Sequence, residues 1–205
     1  MTPADTDRGA ETDRPARDAE GAVRSAAFEY VVHGWGIVPG SVWNGRSYTL
    51  GHCPTVTDGL VPAMVSGRTL RVAREVWSWW SIAPYAVLAR AGEDFDVLVA
   101  PLDLVQTALQ LEDSAVRSCP IVVTESSASL LIKTNSRLRY DLRNVRGVAL
   151  APPNSLIPLP PTVVQGEAVR WLIAPRDVGY RPGLAGAVQS VLATTAEAAK
   201  NDERS

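Results

Sequence analysis

The sequence predicts an α+β fold in a single domain, on three observations. Apolar residues recur at helical spacing in four separate stretches, while β-branched runs between them come mostly in pairs joined by short turns rather than alternating with helices. The length of 205 residues suits one domain. The composition, 46% hydrophobic and 20% charged, supports a sizeable core and excludes global disorder.

Residues 1–17 read as a mixed-charge, disordered tail. From Ala16 to His33 the residues Val23, Ala26, Ala27, Tyr30 and Val31 fall on one helical face, and Gly34 suits the left-handed residue that ends a helix. Trp35 to Val38 reads as a short strand closed by a Pro39-Gly40 turn. Residues 40–67 are dense in Gly and Pro and predict a long loop region with a small hairpin. Thr69 to Ser81 predicts a helix burying Leu70, Ala73, Trp77 and Trp80, ended by Pro84. Tyr85–Ala89 and Phe95–Ala100, with Gly92 between them, predict a hairpin. Leu102 to Val116 predicts a helix with Leu104, Ala108 and Leu111 on its inner face. Strands follow at 121–124, 129–134, 145–151 and 169–174, and Leu184 to Ala199 is an Ala-rich closing helix. The domain therefore spans residues 18–182, with 183–205 as a C-terminal helix and polar end.

Charge and composition exclude several classes. A net charge of -2 argues against a wholesale electrostatic nucleic-acid binder, so any such contact must come from a local patch. No window holds a membrane-length apolar run and the N-terminus has no apolar leader, which predicts a cytoplasmic protein with no membrane partner. Two cysteines, Cys53 and Cys119, make neither a disulfide framework nor a zinc pattern, even with His52 beside Cys53. No nucleophile elbow, phosphate loop or dinucleotide fingerprint is present, and His33 and His52 read as structural.

Two clusters carry possible chemistry. Arg137, Arg139, Arg143 and Arg146 concentrate cation within ten residues, with Lys133 before them and Tyr140 between. Arginine grips phosphate oxygens in pairs and tyrosine stacks on a base, so the cluster is a candidate nucleotide or nucleic-acid contact, against the plainer reading of a solvated turn. Arg68, Arg71 and Arg74 form a second group that reads as ordinary helix surface. Asp94, Asp96 and Asp103 gather around one strand, and Asp94 and Asp96 share a face by the strand period of two.

Several segments, in order, resemble one family. They are Gly34-Trp35-Gly36-Ile37-Val38-Pro39, Trp77-Ser78-Trp79-Trp80 with Pro84 beyond, Phe95-Asp96-Val97-Leu98-Val99, and Asp141-Leu142-Arg143 followed by Gly147-Val148-Ala149-Leu150-Ala151-Pro152-Pro153-Asn154. The stretch from Ala22 to Trp171 resembles the N-terminal domain of bifunctional DNA primase/polymerases, the Prim-Pol branch of the archaeo-eukaryotic primases. The resemblance implies a palm-like (RRM-like) mixed sheet flanked by helices, and template-directed nucleotide addition with Mg or Mn as cofactor. It also places the family's two metal-binding acids at Val99 and Pro101, which offer no ligand side chain. The family's nucleotide-contacting strand falls on Ser126-Ser127-Ala128-Ser129-Leu130, without its glycines and histidine. Asp141 matches a later acidic position and remains as a residual catalytic candidate, with Arg143 beside it in the same cleft.

Two readings follow. One is a catalytically degenerate primase/polymerase-like module, without cofactor, that binds a nucleotide, nucleic acid or a separate replication or regulatory protein. Arg137, Arg139, Arg143 and Arg146 are then its contacts. The other is an active nucleotidyltransferase with a shifted metal site made of Asp94, Asp96 and Asp141.

Overall fold

The computed structural model describes residues 14–64 and 67–202. The chain is α+β, with four α-helices and short antiparallel strands among these residues. Most of the predicted tail, residues 1–13, lies outside the described residues, and 14–17 already belong to the first helix.

Helix α1 (Arg14–Val32) buries Ala27, Tyr30 and Val31, as its periodicity predicts. It ends in a Schellman turn. Gly34 takes φ 89°, its N–H bonds Val31 O at 3.0 Å, and Trp35 N–H bonds Tyr30 O at 2.9 Å. Strand β1 (Val38–Gly40) begins later than predicted and includes Pro39-Gly40, which the sequence assigned to a turn. Proline is tolerated there because β1 is an edge strand. Gly40 is needed where it is, since a Cβ would lie 2.4 Å from Leu88 Cδ1. The Gly/Pro-rich stretch is more ordered than a loop with one hairpin. Strands β2 (Val42–Trp43), β3 (Tyr48–Leu50) and β4 (Cys53–Thr57) form an antiparallel meander.

Helix α2 (Ala73–Trp80) is shorter than predicted and turned about its axis. Leu70 stays extended, exchanging backbone bonds with Ile37, and the helix buries Val76 and Trp80 while Trp77 faces outward. Strands β5 (Ala86–Arg90) and β6 (Asp96–Pro101) do not form the predicted hairpin. Strand β5 pairs with β1 and with β10 (Leu156–Pro158), while β6 pairs with β8 (Ser127–Ile132) and β9 (Ala149–Leu150). Both strands bury residues on both faces and each is an interior strand of its own sheet, with a paired neighbour on either side, and residues 91–95 carry the chain across.

Strand β7 (Ile121–Val123) pairs with β8 and with β13 (Arg170–Ile173), completing a five-stranded sheet in the order β13-β7-β8-β6-β9. A small hairpin joins β11 (Val163–Val164) to β12 (Glu167–Ala168). The pairings of named strands are antiparallel, so the mixed sheet implied by the resemblance is replaced by several antiparallel ones. The five-stranded sheet separates two cores. Val97, Val122 and Leu131 face α1, α2 and the β5 sheet. Leu98, Ala100, Ile121, Leu130 and Ile132 face α3 (Leu102–Leu109) and α4 (Ala185–Asp202). Helix α3 is truncated relative to its prediction, burying Val105 and Ala108, with Leu111 exposed beyond its end. Helix α4 inserts Val188 and Leu192, both fully buried, so it completes the second core rather than trailing behind a domain that ends at 182. No helix among the described residues is long and apolar enough to cross a membrane.

Candidate functional site

Residues 133–148, between β8 and β9, contain the predicted arginine cluster. Their apolar members hold the loop down: Leu142 and Val148 are buried in the second core, with Leu138 and Val145 packed against it. Gln189 of α4, 2% exposed, anchors the loop's backbone. It accepts from Arg139 N–H at 2.8 Å and donates from Nε2 to Arg137 O at 3.1 Å. One side-chain amide thus satisfies two backbone groups that no strand pairs.

Arg139 is consumed locally. Its Nη1 donates to Ser190 Oγ at 2.8 Å, and its Nε and Nη2 donate to Asp141 at 3.1 and 2.7 Å. The hydrogen bond from Arg139 holds the Asp141 carboxyl below the usual carboxylate range. A carboxyl depressed in the folded state binds its proton less tightly than in the unfolded chain. The latch therefore stands at neutral pH and loosens only as acid protonates Asp141. The other cations are free of such partners. Lys133, Arg137, Arg143 and Arg146 are exposed and enter no ion pair among the described residues. Between them Tyr140 is 79% exposed, with the Arg143 guanidinium carbon 5.9 Å from its ring centroid. The structure thus separates four outward cations and one ring from a fifth cation, Arg139, used as a strut.

The acidic candidates are not brought together. Asp94 lies in the turn before β6, where it accepts from Gly36 N–H at 2.6 Å and from Arg71 Nη1 at 2.8 Å. Asp96 accepts from Ser136 N–H at 2.7 Å. Asp141 is on Arg139, next to buried Leu142, and so belongs to the α4 side of the sheet. Val99 packs against the opposite core. Asp141 and Arg143 therefore do not line a cleft with Val99 and Pro101, as the resemblance led us to expect. Among the described residues no three His, Cys, Asp or Glu side chains gather as a metal group, and Asp94, Asp96 and Asp141 do not fit a bound Mg or Mn.

The positions where the resemblance places acids and nucleotide contacts are nonetheless neighbours in register. Val99 stands opposite Ser129, and Pro101 opposite Ser127. Arg71, assigned to helix surface by the sequence, precedes the helix and bridges Asp94 and Glu93, which raises its pKa. His33 stacks on Tyr180 with centroids 3.7 Å apart, a packing role. Cys119 is buried and its thiol is pushed up to about 12, whereas Cys53 is exposed and lowered by its hydrogen bond with Thr55.

A separate groove of about 450 Å³, not foreseen from the sequence, is lined by Tyr30, Trp171, Tyr180 and Pro160. Tyr30 Oη donates to Pro160 O at 2.6 Å and accepts from Trp171 Nε1 at 3.1 Å, while Tyr180 donates to Glu29. These polar groups bond one another, so the groove works as a packed joint between α1 and β13. No protein-family model, no curated protein and no solved structure matches this chain.

Proposed function

We propose that this chain is a catalytically degenerate primase/polymerase-like domain that binds single-stranded nucleic acid through residues 133–146. One observation carries the reading: an exposed tyrosine with Arg143 beside its ring shares a loop anchored to α4 with three further exposed cations that, among the described residues, have no acidic partner. Unpaired bases offer faces to a tyrosine, and their phosphates offer charge to arginine and lysine. A duplex hides those faces, which favours the single strand. The reading of lost catalysis is supported by Val99 and Pro101, which supply no carboxylates, and by Asp94, which serves as a structural anchor.

The test is fluorescence anisotropy of a labelled single-stranded oligonucleotide across a salt series. With four phosphates neutralised, log affinity against log salt should fall with a slope of about -3. Arg143→Ala with Arg146→Ala should roughly halve that slope, and Tyr140→Ala should weaken binding about tenfold at any salt. Absent binding, or binding indifferent to these variants, overturns the proposal. Calorimetric titration of a nucleoside triphosphate with Mn²⁺ or Mg²⁺ tests the catalytic half. Metal-dependent heat would favour the nucleotidyltransferase reading instead.

A further inference from the structure

Two stretches of the chain carry no acid. Between Glu125 and Asp141 lie 15 residues, and between Asp177 and Glu197 lie 19, without an aspartate or glutamate among them. At the chain's overall rate, 22 acids in 205 residues, the two together would hold three or four. The fold lays them side by side. Lys133 N–H donates to Gly183 O at 2.9 Å and Gly183 N–H donates to Leu131 O at 2.9 Å, a parallel bridge between Ile132 and Gly183. Six residues further along both stretches the joining repeats. Gln189 accepts from Arg139 N–H and donates to Arg137 O, and Arg139 Nη1 donates to Ser190 Oγ. The chain from Lys133 to Arg139 therefore runs alongside the start of α4, and Arg181 stands where the seam between them begins.

We infer that the start of α4 is the second wall of the nucleic-acid site and that Arg181 is a further phosphate contact at its end. The inference rests on the single-strand reading above and carries the site beyond residues 133–146. Arg181 is exposed and enters no ion pair among the described residues. It precedes Gly183 by two residues, so its Cα lies within about 12 Å of that of Lys133. The acids that border the seam are engaged: Asp141 holds Arg139, and Asp96 accepts from Ser136 N–H at 2.7 Å. On the α4 side, Leu184 is 57% exposed, Gly186 and Ala187 are exposed, and a Cβ on Gly186 would meet open space. Small uncharged side chains there let a sugar–phosphate backbone lie close to the cations facing them. A strand stacked on Tyr140 would pass Arg137 and Lys133 to reach Arg181. The chain from Gly183 to Gln189 covers about 10 Å, and the residues out to Arg181 and Tyr140 bring the path to about 20 Å. At about 3.4 Å per stacked nucleotide this is about six nucleotides, inside the range that single-strand grooves occupy.

Anisotropy of a labelled twelve-nucleotide oligothymidylate with the full chain, across a salt series, tests this. Arg181→Ala should flatten the slope of log affinity against log salt by about 0.7, the share of one phosphate on a single strand. Ala187→Glu, which sets an acid on the exposed α4 wall, should weaken binding about tenfold at low salt. Arg46→Ala removes the same charge as Arg181→Ala, but on the exposed β2–β3 turn, and should leave the slope unchanged. Far-UV circular dichroism confirms that each variant is folded. Binding that falls with Arg143→Ala and Arg146→Ala, yet is unmoved by Arg181→Ala and Ala187→Glu, overturns this inference and leaves the loop reading standing. An unsubstituted chain that binds no oligonucleotide overturns both. An effect of Arg46→Ala equal to that of Arg181→Ala also overturns the inference, because net charge rather than a contact would then be at work.

Discussion

Asp94 shows how a residue with catalytic chemistry becomes structural through its neighbours. In sequence it is one of three aspartates around a strand. In the fold its two oxygens are taken by Gly36 N–H and by Arg71, which also reaches Gly34 O and Glu93. The carboxylate joins the end of α1, the approach to α2 and the turn before β6. Gly36 permits this, since a Cβ there would lie 3.0 Å from the Arg71 guanidinium carbon. Asp94→Ala leaves a backbone N–H and a guanidinium without their acceptor and should cost about 2 kcal/mol in urea denaturation. Oligonucleotide affinity should be unchanged. A variant of unaltered stability that instead abolishes a metal-dependent product would reinstate the metal reading.

At the scale of elements, helix phase and strand pairing are where sequence periodicity and structure part. Leu70, Ala73, Trp77 and Trp80 share spacing, yet Leu70 is drawn into a bridge with Ile37, so the helix begins at Ala73 and turns Trp77 outward. Residues 145–151 read as one strand, but only Ala149–Leu150 is a strand, extended by the Ala151 N–H bond to Val97 O, because Val145 and Val148 are spent on the second core. The loop before them is held by Gln189, which no loop residue predicts. Gln189→Leu removes the partner of Arg139 N–H and Arg137 O together. It should destabilise by about 2 kcal/mol and should loosen the loop, seen as faster amide exchange over residues 137–146. Unchanged exchange there would show that Leu142 and Val148 alone hold the loop.

At the scale of the whole molecule, the five-stranded sheet is shared by both cores. Leu98 and Leu130 face one side while Val97 and Leu131 face the other, so neither core survives the loss of its cover. Removing a buried leucine side chain from such a layer costs about 2–5 kcal/mol. Helix α4 supplies Val188 and Leu192 to the second core, and removing the helix uncovers the whole layer. Residues 1–183 alone should therefore lack a cooperative thermal transition, whereas the full chain should show one. A cooperative melt of 1–183 would restore the boundary that the sequence suggests.

What the sequence determined by itself was local. The α+β class, the four helices, the Gly34 cap, the strands at 121–124 and 129–134 and the clustering of cations at 133–146 all follow from spacing and residue type within a few turns of chain. Tertiary structure decided which strands share a sheet, which face of α2 is buried, and which charged residues remain free. Arg139 and Asp141 are two positions apart, and their pairing was open to a reader of the sequence. Arg71 with Asp94, and Gln189 with the loop backbone, are 23 and 50 or more positions apart. Whether a charge stands free or serves as a strut depends on what the fold brings within hydrogen-bonding distance, and periodicity carries no record of that.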